Sequence, residues 1–329
     1  MVPLGITMGE PAGIGPEIIA KAWHARRTGA LPPFLVLGRP EAIAAHDPRI
    51  PMRLIGHPGE AVACFQDALP VLSVGEPAPI VIGAPAVATA AAVIAALDEA
   101  VTLAREGALA AIVTAPIQKS VLMASGFGAP GHTEFLADRL GRPRSDAVMM
   151  LASEELRVVP LTVHVPLAEV ASRIEMATVL HKSRIVLASL AQQFGIARPR
   201  LAIAGLNPHA GEEGRLGDEE IRILAPAIAR LRAEGHAVSG PHAADTLFHA
   251  EARARYDAVL CMYHDQALIP LKTLAFDHGV NVTLGLPVIR TSPDHGTALD
   301  IAGRGIARPD SMIAAIRLAA RLAFGERAS

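Results

Sequence analysis

Short apolar runs alternate along the whole chain with longer segments in which apolar residues recur at helical spacing. The short runs predict strands at residues 3–8, 34–38, 52–55, 71–74, 110–115, 147–152, 156–163, 200–204 and 257–262, the sixth and seventh as a hairpin. The longer segments predict helices at residues 18–25, 41–45, 85–105, 135–140, 169–194 with a break near residue 178, 218–234, 253–256 and 311–324. Because strand and helix alternate throughout, the pattern predicts the α/β class.

Three histidines share one position relative to this pattern. His164, His209 and His264 each follow an apolar run by a few residues. The carboxyl ends of parallel strands meet at one edge of a sheet, so three imidazoles there would make an open site for a divalent metal such as Zn²⁺. Three protein ligands leave a fourth position for substrate oxygens. A histidine at a strand end is more often structural, and that reading stays open for each of them.

A second set of polar residues suits a phosphate group. Lys272, Asn281 and Arg290 follow His264 within residues 259–303, and a predicted helix begins next to His132 and Thr133. Cationic side chains and a helix N-terminus both bind anions. The alternatives are that the two cations are solvated surface charges and that the threonine is a simple helix cap.

Length and composition narrow the class of protein. The 329 residues suggest two domains, and a hydrophobic content of 51% supplies a large core. Aromatic residues make up only 3%, which argues against stacking-based binding of single-stranded nucleic acid. The net charge is -2, the pI is about 6.7, and there is no basic stripe, so nucleic acid is not an expected partner.

Cysteine usage and the apolar stretches point to the cytoplasm. Cys64 and Cys261 belong to no CxxC pair and are expected to be buried, reduced thiols. Glu10 and Pro11 interrupt the N-terminal apolar run before it could serve as a secretory signal. The longest apolar stretch, residues 80–97, contains glycine and proline and predicts an amphipathic helix, so no membrane partner is expected.

The glycine-rich segment at residues 9–17 is not a dinucleotide-binding fingerprint. Its glycines do not follow the G-x-G-x-x-G spacing, and two carboxylates stand where a pyrophosphate would need bare amides. The segment is better interpreted as a strand-to-helix turn that needs glycine for its backbone angles, with Pro16 in the first helical turn.

Long motifs relate the chain to a known family. They are ITMGEPAGIGPE, VTAPIQK, GHTEFLA, LTVHVPL, GLNPHAGE, MYHDQALIPLK and GVNVTLGLPVIRTSPDHGTALDIAGRG. With them the sequence resembles, over nearly its whole length, the 4-hydroxythreonine-4-phosphate dehydrogenases of vitamin B6 biosynthesis. The block HGTALDIAGRG is also similar to the adenine-side loop of isocitrate and isopropylmalate dehydrogenases.

The resemblance implies a fold and a role for each of two domains. The fold would be the two-domain α/β fold of the isocitrate and isopropylmalate dehydrogenases, with mixed, largely parallel sheets and an interdomain active-site cleft. Residues 1–130 plus 283–329 would form the cofactor-side domain, and residues 131–282 would bind metal and substrate and form the dimer interface.

The resemblance also assigns residues and ligands. It implies a divalent metal (Zn, Mg or Co) on His164, His209 and His264, substrate contacts from His132, Thr133, Lys272, Asn281 and Arg290, and NAD or NADP near His295, Gly296 and Asp300. Asp245 is the first candidate for the proton acceptor, with Asp265 and, more weakly, Lys119 as alternatives. The active site would lie at the interface of a homodimer, where His264 enters the site of its neighbour.

The implied reaction is a metal-dependent oxidation. A small phosphorylated hydroxy amino acid, 4-phosphooxy-L-threonine, would be oxidised with NAD(P) to a 2-amino-3-oxo acid, which decarboxylates to 3-amino-2-oxopropyl phosphate in pyridoxal phosphate biosynthesis. The metal would lower the pKa of the substrate alcohol and then stabilise the enolate as carbon dioxide leaves.

Departures from the family pattern leave the substrate open. Glu10 stands where aspartate is usual, Gln118 where asparagine is usual, Pro293 where valine is frequent, and NPHAGEEGRLGDEE differs from the common run. One alternative is a related enzyme that oxidises a four-carbon sugar-acid phosphate or an aromatic dihydrodiol. Others are an acyl-phosphate transferase of related fold, and a non-catalytic, metal-dependent binding protein.

Overall fold

The computed structural model describes residues 1–129 and 131–325. The strands are β1 (Leu4–Thr7), β2 (Phe34–Gly38), β3 (Met52–Leu54), β4 (Leu69–Ser73), β5 (Ile112–Thr114), β6 (Val148–Ala152), β7 (Arg157–Pro160), β8 (Arg200–Ala204), β9 (Ala237–His242), β10 (Ala258–Cys261), β11 (Val280–Leu284) and β12 (Arg290–Pro293). The α-helices are α1 (Gly15–His24), α2 (Pro40–His46), α3 (Ala61–Cys64), α4 (Ala90–Arg105), α5 (Lys119–Ala124), α6 (His132–Arg139), α7 (Val170–Arg173), α8 (Met176–Gln192), α9 (Ala225–Ala233), α10 (Ala250–Arg253), α11 (His264–Ala275) and α12 (Asp310–Phe324). The predicted α/β class, with largely parallel strands, is confirmed.

The chain divides into two compact units. The first comprises Met1–Ala147 with Leu286–Ser329, and the second comprises Val148–Gly285. The sequence-based boundary at residues 130/131 would have placed α6 in the second unit. This helix instead packs on α4, and Phe135, Leu136 and Ala137 lie in the core of the first unit. His132 and Thr133 therefore belong to the first unit, and Pro130 lies outside the described residues.

The first unit is built on parallel strands in the order β3-β4-β2-β1-β5-β12. Helix α4 packs on β1 and β2, and α12 packs on β12, β5 and β1. Strands covered on both faces read as continuous apolar runs, which is why β1 and β2 were visible in the sequence. Because the strands are parallel, the loops that follow β1, β5 and β12 leave from one edge of this sheet.

The second unit has a mixed sheet in the order β11-β6-β7-β10-β8-β9. Strand β6 is antiparallel to both β11 and β7, so the predicted hairpin of β6 and β7 is confirmed. Strands β7, β10, β8 and β9 are parallel to one another. Helix α11 packs on β7 and β10, and α9 packs on β9. Four neighbouring strands thus end at the same edge.

Three strands were not predicted by the pattern of apolar residues. Strand β12 has the sequence Arg-Thr-Ser-Pro and is fully buried, and β9 contains Gly240 and Pro241. Strand β11 gives only a weak signal, because its three apolar residues alternate with Asn281 and Thr283 in a short segment. Apolar periodicity gives no signal for a strand of polar residues whose burial is imposed by its neighbours.

Two predicted helices are interrupted. The segment at 169–194 breaks at Ile174 and Glu175, between α7 and α8, earlier than the expected break near residue 178. The segment at 218–234 begins as a π-helix, Glu220–Leu224, before α9. Such π-turns widen the helix locally and recur near functional residues.

The apolar helix and the cysteines have ordinary places in the fold. The helical stretch Val87–Arg105 is long and apolar enough to cross a membrane by length and composition alone, but half of it is buried in the protein, and Leu97 and Val101 line the core of the first unit. Cys261 is buried as expected, whereas Cys64 is only half-buried, and both are free thiols.

Candidate active site

The carboxyl ends of four parallel strands carry the candidate metal and acid–base residues. In the spatial order of the strands, His164 follows β7, His264 follows β10, His209 follows β8 and Asp245 follows β9. All four strands run the same way, so all four residues leave from one edge of the second unit. The prediction that the three histidines occupy equivalent strand ends is therefore confirmed.

His164 and His264 lie side by side. Their ring centroids are 6.0 Å apart with a tilt of 40° between the planes. The strand ladder continues past β7 because the Thr162 amide and hydroxyl both donate to Met262 O, at 3.2 and 2.8 Å. His264 Nδ1 lies 2.9 Å from a carboxylate oxygen of Asp265, a partner that orients the imidazole and leaves Nε2 for a ligand.

Gln266 ties the strand of His264 to the strand of His209. Its side-chain oxygen accepts from Met262 N at 2.6 Å, and its amide nitrogen donates to Gly205 O at 2.8 Å. Gln266 is buried, and both bonds join main-chain groups just beyond β10 and β8. Sequence analysis missed this role, although its position two residues after His264, within a polar run, was a signal.

His209 lies in a left-handed turn. The residues His209, Ala210, Gly211, Glu212 and Glu213 have φ values of 53°, 53°, 81°, 43° and 59°. Four of them carry a Cβ, and side chains rarely adopt this region because the Cβ approaches the following carbonyl oxygen. Such backbone persists only where the surroundings hold it, and it is concentrated at functional sites.

Asp245 sits on the neighbouring turn. It is exposed in the 3₁₀ turn Ala244–Thr246, which contacts the turn that bears His209. Gly205 N donates to His242 O at 2.7 Å and so links the ends of β8 and β9 just before both turns. Asp245 is thus near the histidine edge, while Asp265 is already engaged with His264.

The chemistry of these donors fits a divalent transition metal. Three imidazoles are the donor set of many Zn²⁺ sites, whereas Mg²⁺ prefers oxygen ligands. Among residues 1–129 and 131–325, no three His, Cys, Asp or Glu side chains converge closely enough within one chain to hold a metal ion. The chain brings His164 and His264 together and keeps His209 on the next strand end.

Arg290 is buried in the first unit, not solvated as one alternative held. Its side chain is 3% exposed, and both Nε and Nη2 donate to Thr114 Oγ1, at 3.1 and 2.6 Å. Burial lowers the pKa of Arg290 to about 10, while the Glu134 carboxylate opposes that shift. The guanidinium remains cationic at neutral pH, and Thr114, which sequence analysis missed, fixes its orientation.

His132 opens helix α6 beside two cations. Burial, and then the charges of Arg290 and Lys119, hold the pKa of His132 well below its usual value. Its Nε2 is buried with no hydrogen-bond partner among the described residues. Thr133 is not the helix cap, because the cap position is Gly131 and no side chain caps this end. Arg290, Lys119, His132 and the helix start together favour an anion.

Lys272 and Asn281 belong to the second unit. Lys272 lies on α11, half-buried, with Nζ 5.7 Å from the centre of the Phe276 ring. Asn281 lies on β11, and its side-chain oxygen is buried without a hydrogen-bond partner among the described residues. The five predicted substrate residues are therefore divided: three lie in the first unit and two in the second.

The candidate cofactor residues occupy the loop after β12. His295 Nδ1 lies 3.0 Å from Gly296 O, while its Nε2 is buried with no partner among the described residues. Asp300 is exposed in the same loop. The hydroxyl of Thr297 donates to the side-chain oxygen of Gln118 at 2.9 Å, which anchors the loop to the segment after β5.

The glycine-rich segment packs against this same loop. Ile14 N donates to Thr297 O at 3.0 Å, and a Cβ on Gly13 would lie 2.9 Å from that oxygen. Gly9 has a φ of 71°, and α1 begins at Gly15. The interpretation of this segment as a strand-to-helix turn is confirmed, and Gly13 is needed for close approach of the two backbones.

The chain is similar to a known protein family, to curated relatives and to solved structures. The family model described as pyridoxal phosphate biosynthetic protein PdxA matches residues 31–319. The chain is 53% identical over 325 residues to a 4-hydroxythreonine-4-phosphate dehydrogenase of Caulobacter vibrioides, covering 98% of this chain and 97% of the relative. A crystal structure of 4-hydroxythreonine-4-phosphate dehydrogenase from Klebsiella pneumoniae is similar with a TM-score of 0.88 at 40% identity, covering 98% of this chain and all of that one. A terephthalate 1,2-cis-dihydrodioldehydrogenase from Burkholderia xenovorans is similar with a TM-score of 0.66 at 30% identity, covering 97% of each chain.

Proposed function

This chain belongs to the PdxA family of pyridoxal phosphate biosynthetic proteins, and we propose from that premise that it is a metal-dependent 4-hydroxythreonine-4-phosphate dehydrogenase. It would oxidise 4-phosphooxy-L-threonine with NAD or NADP to a 2-amino-3-oxo acid, which loses carbon dioxide to give 3-amino-2-oxopropyl phosphate. The observation that carries the proposal is that β7, β10 and β8 end at one edge of the sheet, so that His164, His264 and His209 all leave from that edge.

The three histidines would hold the metal. Imidazole donors suit Zn²⁺ better than Mg²⁺, so we propose Zn²⁺ or a similar transition metal such as Co²⁺. When bound, the metal would supply Lewis-acid activation of the substrate's secondary alcohol. Asp265 acts on His264 by holding its Nδ1, which selects Nε2 as the donor nitrogen.

Asp245 is the residue we assign to proton transfer. It is exposed on the turn next to that of His209, whereas Asp265 is occupied by His264. A carboxylate at this edge can accept the alcohol proton without displacing a metal donor. Lys119 is assigned instead to anion binding, because it lies beside Gly131 and the start of α6.

Arg290, His132 and Thr133 would bind the substrate's phosphate, with Lys272 and Asn281 as further contacts. A guanidinium that is cationic at neutral pH and pre-oriented by Thr114 supplies charge-assisted hydrogen bonds. His132 stays neutral at pH 7 because its pKa is lowered, so it contributes a hydrogen bond without adding charge. For the nicotinamide cofactor we propose the loop with His295, Gly296 and Asp300, where His295 Nε2 has no hydrogen-bond partner in the described part of the chain.

We propose that the working unit is a cytoplasmic homodimer with the active site at its interface. Two observations support a partner subunit. The described residues of one chain do not bring three metal donors together. Helix α11, which begins with His264, exposes Ile269 at 64%, and Phe276 just after it is 75% exposed. Large apolar side chains of this kind are enriched at protein interfaces. His264 is the donor that we assign to the neighbouring site.

A related dehydrogenase acting on an aromatic dihydrodiol is the second candidate. It is favoured by the likeness to the dihydrodiol dehydrogenase, but that substrate carries no phosphate. The buried, preoriented Arg290 beside Lys119 and the start of α6 favours a phosphorylated substrate.

The test is a substrate panel read as reduction of NAD or NADP. It contains 4-phosphooxy-L-threonine, its unphosphorylated form, a four-carbon sugar-acid phosphate and an aromatic cis-dihydrodiol, each with and without a chelator. We expect reduction with the first compound only, and its loss after chelation. Reduction with the dihydrodiol alone would assign the chain to the second candidate.

A further inference from the structure

The left-handed turn that bears His209 raises the question of what stabilises it. Five consecutive residues with positive φ, four of them with side chains, are unfavourable for a chain on its own. Within the turn, main-chain hydrogen bonds are short-range, such as the bond from Ala210 N to Asn207 O at 3.1 Å. The interactions that stabilise the turn must therefore come from the residues around it.

Glu220 accepts hydrogen bonds from the residues that lead into this turn. One carboxylate oxygen accepts from Leu206 N and from Asn207 N, both at 2.8 Å. The other accepts from Asn207 Nδ2 at 2.9 Å. Glu220 is 2% exposed, so these bonds form away from bulk water and are strong.

The glycines around Glu220 enclose its carboxylate. A Cβ on Gly211 would lie 2.8 Å from one carboxylate oxygen, and a Cβ on Gly205 would lie 3.1 Å from the other. Gly205 directly follows β8, and Gly211 is at the middle of the turn. The segment that enters the turn and the middle of the turn therefore both pack on a single carboxylate.

The position of Glu220 explains how it reaches the turn. It is the first residue of the π-helix Glu220–Leu224, which contacts the turn and continues into α9. Helix α9 in turn packs on β9 of the sheet. Glu220 thus connects a rigid element to the segment that carries His209.

We propose that Glu220 is a positioning residue for the metal site: it holds the left-handed turn and thereby sets where the His209 imidazole lies. This inference rests on the proposed metal function of His209. Glu220 would not touch the metal or the substrate. Partners that orient a ligand are expected to change metal affinity by about 10- to 100-fold when they are removed.

The experiment compares Glu220→Gln with two other variants. Glutamine keeps the volume of the side chain, but its neutral oxygen accepts more weakly from the amides of residues 206 and 207, and its NH2 group would face the Asn207 Nδ2 donor. His209→Ala removes the proposed donor. Glu213→Gln is the matched control, because Glu213 is an exposed carboxylate in the same turn and its loss changes the local charge equally.

Two quantities are measured on the purified full chain. The first is the affinity for Zn²⁺, by competition with a chelator. The second is amide hydrogen exchange at residues 206 and 207 in the metal-free protein, which reports the hold on the turn without any metal. We expect Glu220→Gln to weaken Zn²⁺ binding by about 10- to 100-fold and to speed exchange at both amides, while Glu213→Gln matches the wild type in both.

The outcomes separate the two ideas. Wild-type Zn²⁺ affinity in Glu220→Gln, together with a large loss in His209→Ala, would overturn the role of Glu220 alone. Wild-type affinity in His209→Ala would overturn the proposed metal site itself. If Glu220→Gln does not fold, Asn207→Ala replaces it, since that change removes one of the three bonds to Glu220 and leaves the two main-chain bonds. Asn207→Ala should give a smaller loss of affinity, and unchanged affinity with unchanged exchange would refute the assignment.

Discussion

Replacing Arg290 by alanine tests the phosphate assignment most directly. Arg290 is 3% exposed, cationic at neutral pH and held by two hydrogen bonds to Thr114. The variant should bind the phosphorylated substrate more weakly, because a charged hydrogen-bond donor is removed from a pre-oriented position. Binding of the nicotinamide cofactor should change much less.

The size of the effect follows from the bond that is lost. A hydrogen bond to a charged group contributes roughly 1.5–3 kcal/mol. Since about 1.4 kcal/mol corresponds to a tenfold change, kcat/KM for the phosphorylated substrate should fall by about 10- to 150-fold. The change also leaves the fully buried Thr114 hydroxyl without its donors, which should lower the free energy of unfolding by roughly 1–3 kcal/mol.

Steady-state kinetics with two substrates provide the assay. The phosphorylated substrate is compared with its unphosphorylated form in the wild type, in Arg290→Ala and in Arg105→Ala, an exposed arginine on α4 that serves as the control. Arg105→Ala should behave like the wild type. Equal losses with the phosphorylated and unphosphorylated substrates would refute the reasoning, because the guanidinium would then act on something other than phosphate.

The remaining predictions concern the metal, the dimer and pH. His209→Ala should lose both bound metal and activity while its circular dichroism spectrum is retained, and full metal occupancy in that variant would contradict the assignment. Mixing His209→Ala with His264→Ala under conditions of subunit exchange should restore activity, since one site of a mixed dimer would be intact if His264 serves its neighbour; proven exchange without activity would place all donors in one chain. His132 has a lowered pKa in the folded state because its charged form is disfavoured by burial and by neighbouring cations. Its contribution to stability is therefore fully present above the usual histidine pKa of about 6.5 and is lost as pH falls from there through the lowered folded value. The free energy of unfolding, measured with urea, should fall more steeply from pH 7 to pH 5 in the wild type than in His132→Gln. An identical pH dependence of the two proteins would contradict this assignment.

Much of the architecture could be predicted from the sequence because it depends on local pattern. The apolar strands β1, β2, β8 and β10 stood out as short buried runs, and the alternation with helices implied parallel pairing. That pairing, in turn, placed His164, His209 and His264 at equivalent strand ends, since side chains just beyond parallel strands share an edge.

Other features were decided only by tertiary structure. Strand β12 contains no aliphatic side chain except its proline ring, yet it is buried because it pairs with β5 and α12 packs over it. Arg290 and Thr114 are 176 positions apart, and no spacing rule relates them. Their contact exists because β5 and β12 are neighbours in the sheet.

The backbone conformation at His209 was also decided by tertiary contacts. The run 207–217 contains three glycines, but none of them stands at position 209, and residues such as Ala210 and Glu212 ordinarily avoid left-handed backbone. The turn forms because a buried carboxylate from a later helix grips the main chain at residues 206 and 207. Local pattern determines which residues reach the edge of a sheet, whereas contacts between distant segments determine the geometry in which those residues are held.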